Sequence, residues 1–520
     1  MQREDSIRRS GTAAAVVMGT TLLSRILGFA RVAVIGAVFG ASGKADVVNL
    51  VFSIPNNLRK LMAEGALSSA FIPVLSSTLV HDPSRQRAQG LVRTILTFQF
   101  VLLLPVLVGS TIFASPIINT ILDFPEAERQ RLAAELFRWM VHYTLLISVS
   151  AVLLATLNSH KRFFVPAATP LLFSIAVILA ILLLYRRMGV YSVVVGVLVG
   201  GVLQVLFQFP LFARLGYSVK PRLAFKSPEF RKIIRQWGPV VGTASIFAVN
   251  QQIALLFASG LEDGSGSAVT NALTFWQLPF GIFAISIQTV LFPRMSRQVA
   301  QGDTNGLRES LEYGLRYLLV LLLPSALVLS LMGKEIIAVA LQRGAFESIH
   351  TIMASEVLTG YCYGLFSVAA FNFVQRFFYS RDDYRYPLLV AFVTLVIDVG
   401  LSLWLKETYL RVVGLAIANS VAFSIGLLLF LTRAWRILGG LNLRAIAGTL
   451  AKTALAAIPL TAAVLGFRAL APDYWLTGSS LEGFLLVGGA AILCMGIVAL
   501  MYYLLKVEPF MIILRERGIR

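Results

Sequence analysis

The sequence predicts an all-α polytopic membrane protein of about 14 transmembrane helices, arranged as two pseudo-symmetric six-helix lobes plus two C-terminal helices. Three observations predict it. Hydrophobic residues make up 57% of the 520 residues and charged ones 14%, and the mean hydropathy is +0.79, more apolar sequence than a soluble core needs. The basic residues behind the formal charge of +19 lie between apolar runs rather than in one polar domain. That is a mark of membrane topology and not of a nucleic-acid surface. Finally, short motifs recur in one order at nearly one spacing.

Taken in order, apolar runs bounded by charge place spans at 11–40, 45–77, 90–115, 133–158, 165–185, 189–213 and 232–260. The remaining spans fall at 267–293, 309–333, 351–379, 384–405, 409–432, 446–470 and 481–505. The opening MQREDSIRRSGT is basic, but no small-residue cleavage site follows it, so the first run reads as a retained span. Alternate loops are rich in cations: Arg8 and Arg9, Arg85 and Arg87, Lys161 and Arg162, then Lys220 through Arg235. Arg294 and Arg297, Arg381 and Arg385, Arg433 and Arg436, and Arg515 and Arg517 continue that set, while the opposite loops are sparse. The positive-inside rule therefore puts both termini in the cytoplasm, as an even number of spans requires.

The repetition sets the domains. Arg162-Phe163-Phe164 with Pro170-Leu171-Leu172 recurs as Arg376-Phe377-Phe378 with Pro387-Leu388-Leu389. Gly196 in GVLVGG is matched by Gly414 in GLAIANS. Ile54-Pro55 leading to Phe71-Ile72-Pro73 and Ser76 parallels Leu278-Pro279 leading to Phe292-Pro293 and Ser296. The offset of roughly 215–225 residues holds six spans, an even number, and so predicts parallel repeats of the kind found in transporters. The expected domains are an N-terminal lobe over 1–214, an amphipathic cytoplasmic linker over 215–231, a C-terminal lobe over 232–435, and spans 13 and 14 with a tail over 436–520.

Candidate functional residues are charges inside these spans. Arg25 lies about 20 Å deep at 1.5 Å per residue, where an arginine is costly. Arg31 lies nearer the outer end, with Gly28 able to bend the helix between them. In span 2, Pro55 loosens the helix, Lys60 and Glu64 stand at the i,i+4 spacing of an ion pair, and Arg59 is left over. Asp46 is placed either to pair with Arg31 or to gate a cavity mouth. The competing readings are a structural ion pair for Arg25 and an interfacial snorkel for Arg31. Three arginines facing one wet cavity imply an anionic ligand, because guanidinium forks fit phosphate or carboxylate better than lysine does. The C-terminal lobe is poorer in buried charge, with Asp398 its main carboxylate and Arg376 near the inner end of span 10.

Enzyme chemistry finds no support. Cys362 and Cys494 lie in apolar helices, the histidines are scattered without metal-ligand spacing, no metal site is indicated, and no phosphate-binding glycine loop is present. No cofactor is expected. A membrane glycosyltransferase would want a sizeable outer loop rich in carboxylates, and the longest, around 116–132, holds only Asp123, Glu126 and Glu128.

SRILGFAR, IPNNLRKLMAEGALSSAFIPVLS, LPFGIFAISIQTVLFPRMS and RFFYSRDDYRYP resemble the MurJ (MviN) lipid II flippases, members of the MOP exporter superfamily. The resemblance implies a multi-pass protein of the bacterial inner membrane that moves undecaprenyl-pyrophosphate-linked peptidoglycan precursor to the periplasmic leaflet. Its partners would be lipid II, membrane lipid and cell-wall synthesis proteins, with no nucleic acid. By position, Arg25, Arg31 and Arg59 match the family's cavity arginines, Ser24 a further substrate position, and Asp46 and Glu64 gating positions. Spans 13 and 14 would form the groove for the lipid tail. The chain also departs from the pattern. Val32 and Thr274 stand where the family has an acid and an arginine. The sodium positions of some members correspond to Ala254, Asp398, Ser402, Leu415 and Asn419, so Asp398 and Asn419 form the candidate cation site, with sodium or membrane-potential coupling left open. The alternatives are a flippase for another polyprenyl-linked glycan or a MATE-like exporter.

Overall fold

A computed structural model describes residues 20, 23–41, 43–59, 66–82, 84–470, 474–478 and 480–516, and for Arg59 the backbone alone. Among these residues there is no strand. The chain forms two compact units that part between Gln252 and Ile253.

The first unit comprises α1 (23–39), α2 (Lys44–Arg59), α3 (Ala66–His81), α4 (Gln86–Ile112), α5 (Ala114–Ile121), α6 (Ala127–Met140), α7 (Tyr143–Ser159), α8 (Phe164–Met188) and α9 (Tyr191–Arg214). It also holds most of α10 (Pro228–Ser259). The second unit continues with α11 (Ser265–Pro279), a π-turn (Phe280–Ala284), α12 (Ile285–Ala300), α13 (Thr304–Leu331), α14 (Gly333–Leu341), α15 (Ser348–Cys362) and α16 (Leu365–Ser380). It closes with α17 (Arg385–Leu405), α18 (Arg411–Leu438), α19 (Leu443–Leu470), α20 (Leu481–Leu504) and α21 (Glu508–Glu516). Among the described residues, 10 helical runs are long and apolar enough to cross a membrane, or 11 if α15 and α16, bent by 45°, are one span. Residues 11–77, where two further spans are expected, are described only in part.

Helices suit this sequence because hydrocarbon offers no hydrogen bonds, so each span must satisfy its own backbone. Side-chain hydroxyls follow the same logic: Thr94, Thr97, Thr111 and Thr156 each donate to the carbonyl four residues back. Prolines such as Pro105, Pro170 and Pro324 sit inside helices, which neighbouring helices make tolerable.

Packing depends on small residues. On α9, Gly196 and Gly200 lie one turn apart against α8: a Cβ on Gly196 would stand 2.7 Å from Val177 Cα, and one on Gly200 2.9 Å from Phe173 Cδ2. This is the small-xxx-small contact that lets two backbones approach. Gly414 does the same in the second unit, where a Cβ would stand 2.9 Å from Leu405 Cβ at the end of α17.

Two connections differ from the loops expected. Segment 116–132 is largely helical, belonging to α5 and α6. Gln130 closes the turn between them, accepting from Phe124 N at 3.0 Å and donating to Leu122 O at 2.9 Å. The stretch from Tyr217 to Ser227 is not helical and lies along α4: Arg93 donates to Lys220 O at 2.9 Å, and Arg222 N donates to Thr97 Oγ1 at 2.9 Å. His160 and Tyr217 meet at 2.8 Å beside it. Burial, with the charges of Arg85 and Arg162, holds the imidazole below its ordinary pKa, and burial pushes the phenol up to about 12.

Candidate functional site

The site begins on α1. Ser24 and Arg31 are seven residues apart, about two turns at 3.6 residues each, so they share one face of the helix with Gly28 between them. A Cβ at Gly28 would meet nothing within 4 Å, leaving open space between hydroxyl and guanidinium. Arg25 lies about 120° round the helix from Arg31, and its side chain is exposed.

Arg31 is half-buried against aromatic rings. Its Cζ stands 5.1 Å from the Phe173 centroid and 5.7 Å from that of Phe52. Those two rings stack at 6.0 Å, and Tyr143 joins Phe173 at 5.1 Å. Phe52 comes from α2, Tyr143 from α7 and Phe173 from α8, so three helices supply one shelf for a cation from a fourth. Ring faces attract a guanidinium, and more strongly where water is excluded.

Asp46 is buried, at 3% exposure, in the first turn of α2, where the helix dipole favours a carboxylate. Further along α2, Asn57 donates to Gln252 Oε1 at 3.5 Å, tying that helix to α10. Arg59 is the last residue of α2. Glu64 lies outside the described residues, as does its expected partner Lys60.

In the second unit Asp398 is buried at 5% exposure. Asn419 donates to its Oδ2 at 2.8 Å and Ser402 to its Oδ1 at 3.3 Å. The structure therefore brings three of the candidate cation residues together, while Leu415 is buried and Ala254 adds no donor. Among the described residues no group of three or more His, Cys, Asp or Glu could hold a metal ion. Thr274 turns its hydroxyl back to Thr270 O at 2.9 Å. Beside α19 and α20 lies an apolar recess of about 220 Å³, bounded by Met332, Val464, Phe467, Leu486, Gly489 and Cys494 among others.

Two features escape a reading of charge and hydropathy. The aromatic shelf is one; its signal was the glycine pair in GVLVGG, which marks where rings press on α9. The other is the pairing of Arg468 with Glu335. Arg468 reads as a loop cation, and the clue was Glu335 standing alone inside LMGKEIIAVAL.

Long apolar helices in two units define a polytopic α-helical membrane protein with an exporter-type fold. A MATE-family multidrug transporter of the MOP superfamily in its inward-facing conformation superposes with a TM-score of 0.62, covering 82% of this chain and 98% of that one at 15% identity. A structure described as lipid II flippase MurJ in an inward closed conformation matches with a TM-score of 0.76 over 96% of this chain and 99% of its own, at 23% identity.

The chain belongs to the MurJ family: the family profile described as lipid II flippase MurJ matches residues 35–486. A probable lipid II flippase MurJ of Borreliella burgdorferi is 33% identical over 497 residues, 95% of this chain and 96% of that protein. One from Vibrio cholerae is 30% identical over 463 residues, 86% and 87% of the two chains. A flippase family is one of transporters rather than catalysts. With these helices, membership makes the chain a multi-pass protein of the inner membrane.

Proposed function

We propose that this protein is a lipid II flippase. It carries undecaprenyl-pyrophosphate-linked peptidoglycan precursor from the cytoplasmic to the periplasmic leaflet by alternating access. The observation that carries this reading is the guanidinium of Arg31 held on Phe52 and Phe173, on the helix face where Ser24 and Gly28 leave open space. A cation kept inside an apolar span is expensive and marks a ligand path, and its fork suits a pyrophosphate. Arg25 and Arg59 extend the anion site, and Asp46 and Glu64 gate it. The apolar recess by α19 and α20 takes the polyprenyl tail, and both termini lie in the cytoplasm. Bound anion shifts the carrier only if it favours one state over the other, and membrane potential acts on the empty cationic site.

The test has two arms. Depletion of the protein should raise inner-leaflet lipid II while synthesis continues; a fall in synthesis instead would indicate an enzyme. Arg25→Ala, Arg31→Ala and Arg59→Ala should each abolish transport at normal expression, and retained activity in all three would remove the anion site. A flippase for another polyprenyl-linked glycan shares this chemistry, and accumulation of that glycan in place of lipid II would select it.

A further inference from the structure

We propose that Phe173 and Phe52, with Tyr143 behind them and Gly200-Gly201 as their seat, are positioning residues that set the plane of the Arg31 guanidinium for an incoming phosphate. This rests on the reading of Arg31 as an anion ligand.

The structure orders these residues in layers. Gly200 and Gly201 are bare on the face of α9 toward the rings: a Cβ on Gly200 would stand 2.9 Å from Phe173 Cδ2, and one on Gly201 2.9 Å from Tyr143 Cδ2. The rings of Phe173 and Tyr143 are therefore pressed onto helix backbone and are themselves buried, at 6% and 2% exposure. Phe52 stacks on Phe173 with an interplanar angle of 18°. The two rings nearest Arg31 thus present one aligned surface, and the guanidinium carbon lies over both.

That geometry has a chemical consequence. A guanidinium carries its N–H donors in its own plane, while a ring attracts it through the negative π face. Contact with a ring face offsets part of the cost of a cation inside the membrane and leaves in-plane donors directed elsewhere, phosphate oxygens included. An arginine has several rotatable bonds to lose on binding, and a fixed plane lowers that loss. The glycine pair acts at the far end of the chain of contacts: a methyl group there moves the rings, and with them the fork.

The experiment uses the full-length protein in proteoliposomes, with undecaprenyl pyrophosphate as the binding probe and the melting temperature as a check on packing. Phenylalanine at 173 is replaced by its mono-, di- and trifluoro analogues, which drain the π face at nearly constant size. Affinity should fall at each step, reaching about fivefold in Phe173→Leu and returning to within about twofold in Phe173→Tyr, since an exposed-to-buried cation–π contact spans that range. Melting temperatures should stay level across the fluorinated series, which keeps the test valid if the leucine variant folds poorly. The same series in an Arg31→Ala background should be flat. Affinity unchanged by fluorination, with Arg31→Ala still losing the probe, would overturn the shelf and leave the anion site standing. Full affinity in Arg31→Ala alone would overturn both.

Discussion

Arg468 grips Glu335 with two hydrogen bonds, Nε to Oε1 at 2.7 Å and Nη2 to Oε2 at 3.2 Å. The carboxylate is 5% exposed and the guanidinium 35%. This fork fastens α19, one of the C-terminal pair outside the repeat, to α14. The two ends are unequal: without Arg468 the carboxylate stays buried and uncompensated, whereas without Glu335 the arginine can swing outward. Arg468→Ala should therefore destabilise by about 3 kcal/mol, the scale for breaking a buried pair, and Glu335→Ala by less. Thermal melting of the two variants in one detergent checks the order, and equal losses would contradict it.

Acid should weaken the fold in two stages. Burial keeps His160 below the ordinary 6.5, so the unfolded chain binds a proton first. Its stabilisation is whole above pH 6.5 and declines as pH falls through the folded value. Glu508 accepts from Arg316 at 2.7 Å, and that hydrogen bond holds its carboxyl below the ordinary 4.5. Its contribution is present above pH 4.5 and is lost below it by the same rule. Melting curves against pH should show both declines. His160→Gln should flatten the upper one and Glu508→Gln the lower; a wild-type curve level from pH 7 to 4 would refute the assignment.

Glycines in the spans should divide by what surrounds them. At Gly196 a methyl group meets helix backbone at 2.7 Å. Gly196→Ala should thus push α8 and α9 apart and cost about 1–3 kcal/mol through overpacking. At Gly109, inside α4, nothing lies within 4 Å, and Gly109→Ala should gain up to about 1 kcal/mol from helix propensity. Opposite shifts in melting temperature are the expected result.

Asp398 is met by an amide and a hydroxyl, a thin set of donors for a hard cation, which prefers several oxygens. Exchanging choline for sodium should leave the melting temperature unchanged, because a ligand stabilises only the state it binds. A sodium-dependent rise that Asp398→Asn abolishes would show the site to be occupied.

Most membrane helices were legible because burial in lipid demands long apolar runs. The spans expected at 165–185, 384–405 and 481–505 correspond to helices Phe164–Met188, Arg385–Leu405 and Leu481–Leu504. Hydropathy fails where helix outlasts membrane: EAERQRLAAEL is charged, yet helix-forming, so 116–132 reads as loop and folds mainly as α5 and α6. It is also blind to bends. The span expected over 351–379 breaks near Gly364, where a Cβ would stand 2.7 Å from Ser420 Cα; close backbone approach, not polarity, marks that point. At the site, buried arginines announced themselves by cost. The rings beneath Arg31 did not, since phenylalanines in an apolar helix look like any lipid-facing residue until neighbours are known.

The π-turn at Phe280–Ala284 amounts to one surplus residue in an otherwise α-helical rod. Removing a single amino acid there would let the rod close to ordinary winding, and everything beyond would rotate by about 100°. Met295 and Gln298, which α12 now tucks inward with Gln298 accepting from Ser310 at 2.8 Å, would face outward. Length at that point is thus encoded more tightly than chemistry: a conservative exchange among these five side chains leaves the winding alone, while a three-base deletion in the gene would turn half a span inside out.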